Sequence, residues 1–227
     1  MSEQTATIIR TISVLGGTGK EGKGLAYRWA KAGYRIIIGS RSLEKAQAAA
    51  AELQTLLGGQ GEVTGMVNVE AAAASDLAVL TVPFAAHVDT LMSVKDALAG
   101  KILVDVTVPL APPKVTKVQL PAAGSAAQEA QQTLGPTVQV VSAFQNISYE
   151  HLLHDETVTC DVLVCGGDKS ARQVVLGLVK AAGLTGWDAG PIENSVVAEG
   201  LTSILIGINK QFGIQNAGIQ ITGVPRQ

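Results

Sequence analysis

The fold is decided by residues 8–22, IIRTISVLGGTGKEG, where a β-branched and aliphatic run ends at Leu15 and a glycine cluster follows at once. A helical pattern runs from Gly19 to Ala32, and a second apolar run covers residues 34–38 after Gly33. A strand, a glycine-rich turn, a helix and another strand in this order predict a β-α-β unit.

Three glycines of this stretch, Gly17, Gly19 and Gly22, have the G-x-G-x-x-G spacing of dinucleotide-binding turns. The first glycine permits a tight turn, the second lets the backbone approach a pyrophosphate, and the third lets the helix pack closely on the strand. The start of the helix offers free N–H groups and a positive dipole end to phosphates. The pattern therefore predicts nucleotide binding, with a plain βα turn as the alternative.

Strand and helix patterns alternate six times before residue 144. The strands are expected at about 7–15, 34–39, 62–67, 76–82, 101–106 and 137–143. Helices are expected at about 19–32, 43–57, 69–75 and 85–98, while residues 122–134 read as a helix or a mobile segment. This alternation predicts an α/β fold, a doubly wound parallel sheet of the Rossmann type.

The pattern changes after Phe144. A helix at 148–154, a strand at 160–165, a helix at 168–182, a strand at 184–188 and a helix at 193–212 are expected. We therefore expect a nucleotide-binding domain at 1–147 and a small C-terminal α/β extension at 148–227. The last helix carries an apolar stripe, which we expect in the core, with a second subunit as the alternative partner. Its members are Val197, Leu201, Ile204, Leu205 and Ile208.

Composition limits the class of protein. Hydrophobic residues make up 47% of the chain and charged residues 16%, which is typical of a compact globular protein. The formal charge of −2 argues against a nucleic-acid partner. The sequence shows neither a cleavable leader nor a run of about 18 apolar residues, so we expect no membrane association and a cytoplasmic location. Cys160 and Cys165 are expected to be reduced thiols.

The end of the second strand distinguishes between the two nicotinamide cofactors. NAD-binding chains usually place an acid there to hold the ribose 2′-hydroxyl, whereas this chain has Ser40 and Arg41. A guanidinium grips a 2′-phosphate that a carboxylate would repel. Lys45 lies one helical turn further on, and Thr18 adds a hydroxyl. These residues favour NADP over NAD.

Conventional catalytic groups are missing from the sequence. The three histidines, His87, His151 and His154, accompany no metal-ligand or nucleophile pattern, so we expect neither a metal site nor an acid–base catalyst. Tyr27 and Lys31 have the spacing of a Tyr-x-x-x-Lys pair but fall in the first helix. Hydride transfer between two ring cofactors suits this absence, because it needs mainly positioning.

Six segments together resemble the NADPH-dependent reductases of the deazaflavin coenzyme F420. They are LGGTGKEGKGLA at 15–26, IGSRSLEKA at 38–46, AVLTVPF at 78–84, DVLVCGGD at 161–168, WDAGPIEN at 187–194 and GIQITG at 218–223. The likeness covers about 11–223. The glycine loop is common to many dehydrogenases, whereas the Gly-Ser-Arg end and the C-terminal segments are more specific. The reductase domain of membrane ferric reductases is similar too.

The resemblance implies an oxidoreductase that transfers a hydride between NADP(H) and coenzyme F420, with these redox cofactors as its partners and a homodimer as its assembly. It implies that the extension, 148–227, helps to form the second-substrate site and the dimer interface. The implied cofactor-binding residues form four groups along the chain. They are the glycine loop (Gly17, Thr18, Gly19, Lys20, Glu21 and Gly22), the 2′-phosphate group (Ser40, Arg41 and Lys45), the path to the nicotinamide (Val82, Pro83, Phe84 and Val88) and the ring site (Val108, Pro109 and Gln145).

One departure from the family leaves alternatives open. Gln145 stands where some members have histidine, although a glutamine can still donate and accept hydrogen bonds. Gln145 could equally be a strand-end polar group that the backbone satisfies. The alternative functions are an NADPH-dependent reductase of a flavin, a quinone-like ring or an imine, and a non-enzymatic NADP sensor. The sequence does not give the direction of the reaction.

Overall fold

Strands and α-helices alternate along the part of the chain that the computed structural model describes, residues 9–154 and 157–225. The strands are β1 (Thr11–Leu15), β2 (Arg35–Ser40), β3 (Glu62–Val67), β4 (Leu77–Leu80), β5 (Ile102–Asp105), β6 (Gln139–Ser142), β7 (Asp161–Gly166) and β8 (Thr185–Asp188). The α-helices are α1 (Lys20–Lys31), α2 (Leu43–Leu56), α3 (Asn68–Ala74), α4 (His87–Val94), α5 (Ala126–Leu134), α6 (Lys169–Ala181) and α7 (Ser195–Phe212).

The strands form one sheet in the order β3-β2-β1-β4-β5-β6-β7-β8. All neighbours from β3 to β6 are parallel, which confirms the doubly wound α/β fold. β7 is antiparallel to β6 and overlaps it in only two pairs, Val141 with Gly166 and Ser142 with Cys165, and β8 is parallel to β7. The earlier residues of β7 therefore extend past the carboxyl end of β6.

Helices cover both faces of the sheet. α1, α2 and α6 pack on one face, where Leu25, Leu53 and Val175 join the larger apolar cluster. α3, α4 and α5 pack on the other face through small and aliphatic side chains such as Leu91 and Ala130. Strands that are buried on both sides have near-continuous apolar sequences, and the fully buried β4 is an example.

The turn between β1 and α1 depends on the absence of side chains. Gly16 has φ of +70°, so the left-handed residue of the turn is Gly16 and not the first glycine of the fingerprint. A Cβ on Gly17 would lie 2.6 Å from the Val14 carbonyl oxygen. A Cβ on Gly22 would lie 2.7 Å from Gly17 Cα and from Thr81 Oγ1. The helix can therefore reach the sheet only with glycine at these positions.

Three local expectations need correction. The helix expected at 85–98 is divided into a 3-10 turn at Phe84–Ala86, α4, and a second 3-10 turn at Asp96–Leu98. The helix expected at 148–154 is only a 3-10 turn, Tyr149–His151. Of residues 122–134, Ala126–Leu134 form a helix, α5, and the Ser125 hydroxyl caps it by accepting from Gln128 N. Residues 7 and 8, expected in β1, lie outside the described residues.

The apolar stripe of α7 is only partly in the core, which corrects our expectation. Leu205 is buried, but Val197 is 60% exposed and Ile204 is 50% exposed. Helical periodicity shows which residues share a face, but not whether another element covers that face. Among the described helices, none is long and apolar enough to cross a membrane.

The glycine packing yields a test. Gly22→Ala should lower the free energy of unfolding by about 1–3 kcal/mol, because the new methyl group overlaps the turn and Thr81. Gly19→Ala is the matched control, since its Cβ would meet no atom within 4 Å. It should cost less than about 1 kcal/mol, the size of an N-cap preference. Urea unfolding of the two variants measures both values, and equal losses would contradict the packing argument.

Candidate functional site

The carboxyl ends of the central strands lie side by side at one edge of the sheet. Leu15 pairs with Gly39 on one side and with Leu80 on the other, and Leu80 pairs with Asp105. Asp105 in turn pairs with Ser142. The stretches that follow β1, β2, β4, β5 and β6 therefore meet at one edge, which is where open parallel sheets bind ligands.

The glycine loop is joined directly to the end of β2. Gly17 N donates to the Gly39 carbonyl at 3.0 Å, and Gly16 N donates to Asn68 Oδ1 at 3.3 Å. Gly19 is the N-cap of α1 and provides no side-chain hydrogen bond. The first N–H groups of a helix have no partner within the helix, so α1 presents donors beside the exposed Gly19.

Two cations stand next to this loop. Ser40 is largely buried, and its Oγ accepts from Ser42 N at 3.3 Å, while Ser42 Oγ caps α2 by accepting from Lys45 N. Arg41 and Lys45 are exposed. Within the described residues, neither cationic group has a hydrogen bond or an ion pair. Thr18, in the turn, is half-buried. Two charges and the Ser40 hydroxyl thus lie at or just after the end of β2.

The next two loop residues differ in their environments. Lys20 Nζ lies 4.7 Å from the centre of the Tyr149 ring and 3.9 Å from a Glu150 oxygen. Glu21 Oε1 is buried and has no hydrogen-bond partner in the described part of the chain. Burial raises the pKa of Glu21 to about 8, so this carboxyl is mostly neutral at pH 7.

The segment after β4 passes over the glycine loop. Val82 lies so close to Gly16 that its Cγ1 would be 2.4 Å from an added Cβ. Pro83 is exposed and Phe84 is half-buried. The Phe84 ring stacks on the His87 ring, with centroids 5.8 Å apart and planes at 28°. Val88, on the outer face of α4, is 42% exposed.

The ends of β5 and β6 are joined by a side chain of the predicted ring site. Val108 is half-buried and Pro109 is buried. Gln145 is 6% exposed, and its Nε2 donates to the Asp105 carbonyl at 2.7 Å. A carbonyl partner requires the NH₂ group on that side, so the orientation of the amide follows from its environment. Gln145 Oε1 is buried and has no hydrogen-bond partner among the described residues.

Phe144, which precedes Gln145, has an unusual backbone conformation. Its φ is +74°, a left-handed value that costs a non-glycine residue about 1–3 kcal/mol. The side chain is buried, and its ring meets Trp29 edge to face with centroids 5.7 Å apart. Burial of this ring holds the backbone in that conformation, and the conformation sets the direction of Gln145.

A buried polar network lies behind these loops, and the sequence reasoning missed it. His87 is fully buried, with Nε2 2.8 Å from Asp105 Oδ2 and Nδ1 3.0 Å from Glu129 Oε1. Asp105 Oδ1 also accepts from Thr107 N at 3.0 Å. Glu199 of α7, 1% exposed, accepts from Ala126 N and Ala127 N at the start of α5.

The charges of the network shift its pKa values. Burial alone would lower the pKa of His87, but the hydrogen bonds and charges of Asp105 and Glu129 outweigh it and raise this pKa to about 8. Burial raises the pKa of Glu199 to about 8, against the two amide donors of α5, while Asp105 raises it and His87 lowers it.

One sequence signal could have revealed this network. Asp105 interrupts the apolar run ILVDVTV at 102–108, and an acid in a buried strand needs a partner. The other two histidines have backbone roles, since the carbonyls of His151 and His154 accept from Arg28 Nη2. Among the described residues, no cluster of histidine, cysteine and acidic residues could hold a metal ion. Cys160 and Cys165 are unpaired.

An open pocket of about 810 Å³ lies at the other edge of the sheet. Its lining includes Thr11 and Arg35 at the starts of β1 and β2, together with Asp76 and Ala181. None of the cofactor-binding residues predicted from the sequence lines it. We assign the candidate site to the carboxyl edge instead, because the glycine loop, the free cations and the unpartnered Gln145 oxygen are all at that edge.

Comparisons with known proteins identify relatives of this chain. The family model described as "NADP oxidoreductase coenzyme F420-dependent" matches residues 11–109. The F420-dependent NADP reductase of Methanothermobacter marburgensis is 43% identical over 223 residues, which cover 94% of this chain and 99% of the relative. The F420-dependent NADP reductase of Methanocaldococcus jannaschii is 40% identical over 221 residues, which cover 94% of this chain and 98% of the relative.

A solved structure extends the comparison to the fold. A crystal structure from Arthrobacter sp. FB24, provisionally described as an F420-dependent NADP reductase, superposes with a TM-score of 0.80 and 26% identity. The match covers 95% of this chain and all of that one. The Arthrobacter protein therefore has the same fold as this chain over nearly its whole length.

The network predicts a dependence of stability on pH. Because the folded pKa of His87 is above its ordinary 6.5, its contribution is complete below pH 6.5 and is lost as the pH rises through 8. The shift corresponds to about 2 kcal/mol. The raised pKa values of Glu21 and Glu199 act in the same direction, because the folded state keeps protons that the unfolded state releases above 4.5.

Urea unfolding at pH 6 and at pH 9 measures this dependence. Wild type should be less stable at pH 9, and His87→Gln should lose about 2 kcal/mol less than wild type between the two pH values. The same loss in both proteins would show that His87 does not carry the effect.

Proposed function

The chain belongs to the family of F420-dependent NADP oxidoreductases, and from this membership we propose how its strand-end loops carry out the reaction. The protein is an oxidoreductase that transfers a hydride between NADP(H) and the deazaflavin coenzyme F420. The dinucleotide and the deazaflavin supply the hydride chemistry. The residues of the chain bind them, orient them and limit the access of water.

The end of β2 is the proposed site of the 2′-phosphate. Arg41 supplies a guanidinium, Lys45 an ammonium and Ser40 a hydroxyl, with no acid at the strand end. The observation that carries the proposal is that both cations are exposed and unpaired in the described part of the chain, next to the loop that Gly17 attaches to Gly39. An unpaired guanidinium pays no cost of breaking an existing ion pair when it binds a phosphate.

The glycine loop is the proposed site of the pyrophosphate. Thr18 and Gly19 would face the phosphates, with Gly17 and Gly22 shaping the turn and the N–H groups of Lys20 and its neighbours donating. An added Cβ on Gly19 would meet no atom, so space for a ligand exists there. Glu21 fits this role because its carboxyl is mostly neutral at pH 7 and does not repel phosphate.

The loops after β4, β5 and β6 are the proposed site of the two rings. Val82, Pro83, Phe84 and Val88 would line the path of the dinucleotide to its nicotinamide. Val108, Pro109 and Gln145 would border the nicotinamide and the deazaflavin. The unpartnered Gln145 Oε1 is an acceptor that fits an N–H group of a bound ring. The role of this chain in the transfer step is positioning, which brings the reacting carbons to about 3–3.5 Å.

The extension, 148–227, is the proposed wall of the second-substrate site. Thr202 Oγ1 donates to the Gln145 carbonyl at 2.8 Å, and Asn146 Nδ2 donates to the Ala198 carbonyl at 2.8 Å. These bonds fix α7 beside the ring loop. We also infer a cytoplasmic location, consistent with the unpaired Cys160 and Cys165.

A homodimer is the proposed assembly, with α7 at its interface. Val197 and Ile204 of α7 are exposed, and so are Val118 and Leu120. The loop with Val118 lies beside α7, because Val118 Cγ1 would be 3.5 Å from a Cβ added to Gly200. An exposed apolar patch of this kind is typical of a subunit contact.

An absorbance assay tests the function. Purified protein, NADPH and oxidised F420 should bleach the visible absorbance of the deazaflavin, relative to a protein-free control. Because some family members have histidine where this chain has Gln145, FMN is the acceptor to compare. The same assay with FMN as competitor separates the two acceptors. Absence of bleaching with F420, or faster reduction of FMN, would overturn the assignment of the acceptor.

The 2′-phosphate clamp has a charge-matched test. Arg41→Asp should weaken NADPH binding by about 1.5–3 kcal/mol, about 10- to 150-fold, and reverse the preference toward NADH. Lys180→Asp changes the charge equally in the last turn of α6, next to Ala181 at the opposite edge, and should leave the preference unchanged. Titration of both variants with NADPH and NADH measures the effect. An unchanged NADPH affinity in Arg41→Asp would place the phosphate elsewhere.

The proposed interface has a matched pair of variants. Ile204→Glu should shift the protein toward monomers in sedimentation at micromolar concentration, because it buries a charge in the contact. Met92→Glu, on the outer face of α4, alters a residue that is similarly exposed, at 58%, and should leave the assembly unchanged. Identical sedimentation of Ile204→Glu and wild type would exclude α7 from the interface.

A further inference from the structure

We propose that His87 is a positioning residue for the ring site, because it ties together the three loops that border the two rings. The inference rests on the proposed function, since it gives those loops their role. His87 is buried behind the loops and is assigned no contact with either cofactor. Its action is through Phe84, Asp105 and Gln145.

The first tie is to the loop after β4. His87 is the first residue of α4 and follows directly on the segment 82–86, which leads from β4 into the helix. The Phe84 ring lies against the imidazole in a stacked arrangement. Because the imidazole is fixed by hydrogen bonds at both nitrogens, it gives Phe84 a rigid surface to rest on.

The second and third ties pass through Asp105. One carboxylate oxygen of Asp105 bonds His87 Nε2, and the other accepts from Thr107 N in the loop after β5. The backbone carbonyl of the same residue accepts from Gln145 Nε2 in the loop after β6. A change in the position of Asp105 would therefore move both loops together.

Hydrogen-bond chemistry requires a charged imidazole for this arrangement. Both ring nitrogens of His87 face carboxylate oxygens, and a carboxylate only accepts hydrogen bonds. A neutral imidazole has one N–H group and would leave one carboxylate without its donor. Protonated His87 satisfies Asp105 and Glu129 at once.

Acidic groups from neighbouring elements face His87. Asp105 approaches from β5 and Glu129 from α5. Glu199 of α7 acts at longer range and is itself held by the first amides of α5. When His87 loses its proton, no positive charge remains in the group formed by His87, Asp105, Glu129 and Glu199. The ties should then loosen at alkaline pH.

The consequence for recognition concerns Gln145. Because its NH₂ group is fixed on the Asp105 carbonyl, its Oε1 has one available direction, and that atom is a buried acceptor without a donor in the described residues. Its ligand is therefore an N–H donor on a bound ring, of the amide or ring-lactam class. His87 keeps that acceptor in place from a distance.

The test compares His87→Gln with His154→Gln, the same change at an exposed histidine. The first readout is binding of 2′,5′-ADP, which carries the phosphate end of the cofactor without the nicotinamide. His87→Gln should bind 2′,5′-ADP within about twofold of wild type, whereas its rate of hydride transfer should fall about 10- to 100-fold, the size of a misplaced reactant. His154→Gln should change neither value.

The second readout is the pH profile of kcat. Wild type should lose activity with a midpoint near pH 8, and His87→Gln should lack this fall because glutamine does not titrate there. Glu129→Gln keeps the imidazole but removes one carboxylate, so it should move the midpoint to lower pH. This variant also decides the question if His87→Gln does not fold, because Glu129 is partly exposed and glutamine keeps the size of its side chain.

Two outcomes overturn the proposal. One is an unchanged rate of transfer and an unchanged pH profile in both variants. The other is a parallel loss of 2′,5′-ADP binding and activity, which would show a general effect on the fold.

A failure of the proposed function can be distinguished from a failure of the His87 inference. If wild type does not reduce F420, the ratio of the NADPH affinity to the 2′,5′-ADP affinity still reports the nicotinamide half of the site. That ratio should be smaller in His87→Gln than in wild type, and an equal ratio would overturn the positioning role without any use of F420.

Discussion

The close contact between the turn after β1 and the neighbouring strand ends is the constraint on which the rest of the site depends. Gly16, Gly17 and Gly22 leave no room for a side chain, so α1 starts directly against the sheet. Gly17 N also donates to the Gly39 carbonyl near the end of β2. This contact sets the distance between the helix start and the cations after β2. A phosphate at the start of the helix would therefore meet rigid backbone rather than a mobile loop.

The site combines two different uses of charge. Arg41 and Lys45 are exposed, so water screens them and they are available to a mobile anion. His87 and Asp105 are fully buried, where removal of one partner leaves an uncompensated charge at high cost. The exposed pair suits capture of a ligand, and the buried pair suits alignment of loops. Exposure to solvent therefore separates the two roles of charge.

The sequence alone predicts the features that depend on a local pattern of residues. The order of strands and helices, the glycine loop and the Ser40–Arg41 strand end follow from periodicity and position along one segment. The His87 network could not be found in this way, because β5, α4, α5 and α7 contribute its members and only packing brings them together. The exposure of Ile204 and the reversal of β7 escaped for the same reason. Both depend on what lies beside an element, and the pattern within an element does not contain that information.

The two-pair overlap of β7 with β6 supplies only a small part of the join between the parallel strands and the C-terminal elements. α6, which follows β7, packs in the same apolar cluster as α1, and Trp29 Nε1 donates to the Leu178 carbonyl at 2.9 Å. A join of this kind is a shared core, so a cut near residue 147 would expose apolar surface on both fragments. One core shared by both parts makes them a single cooperative unit of folding.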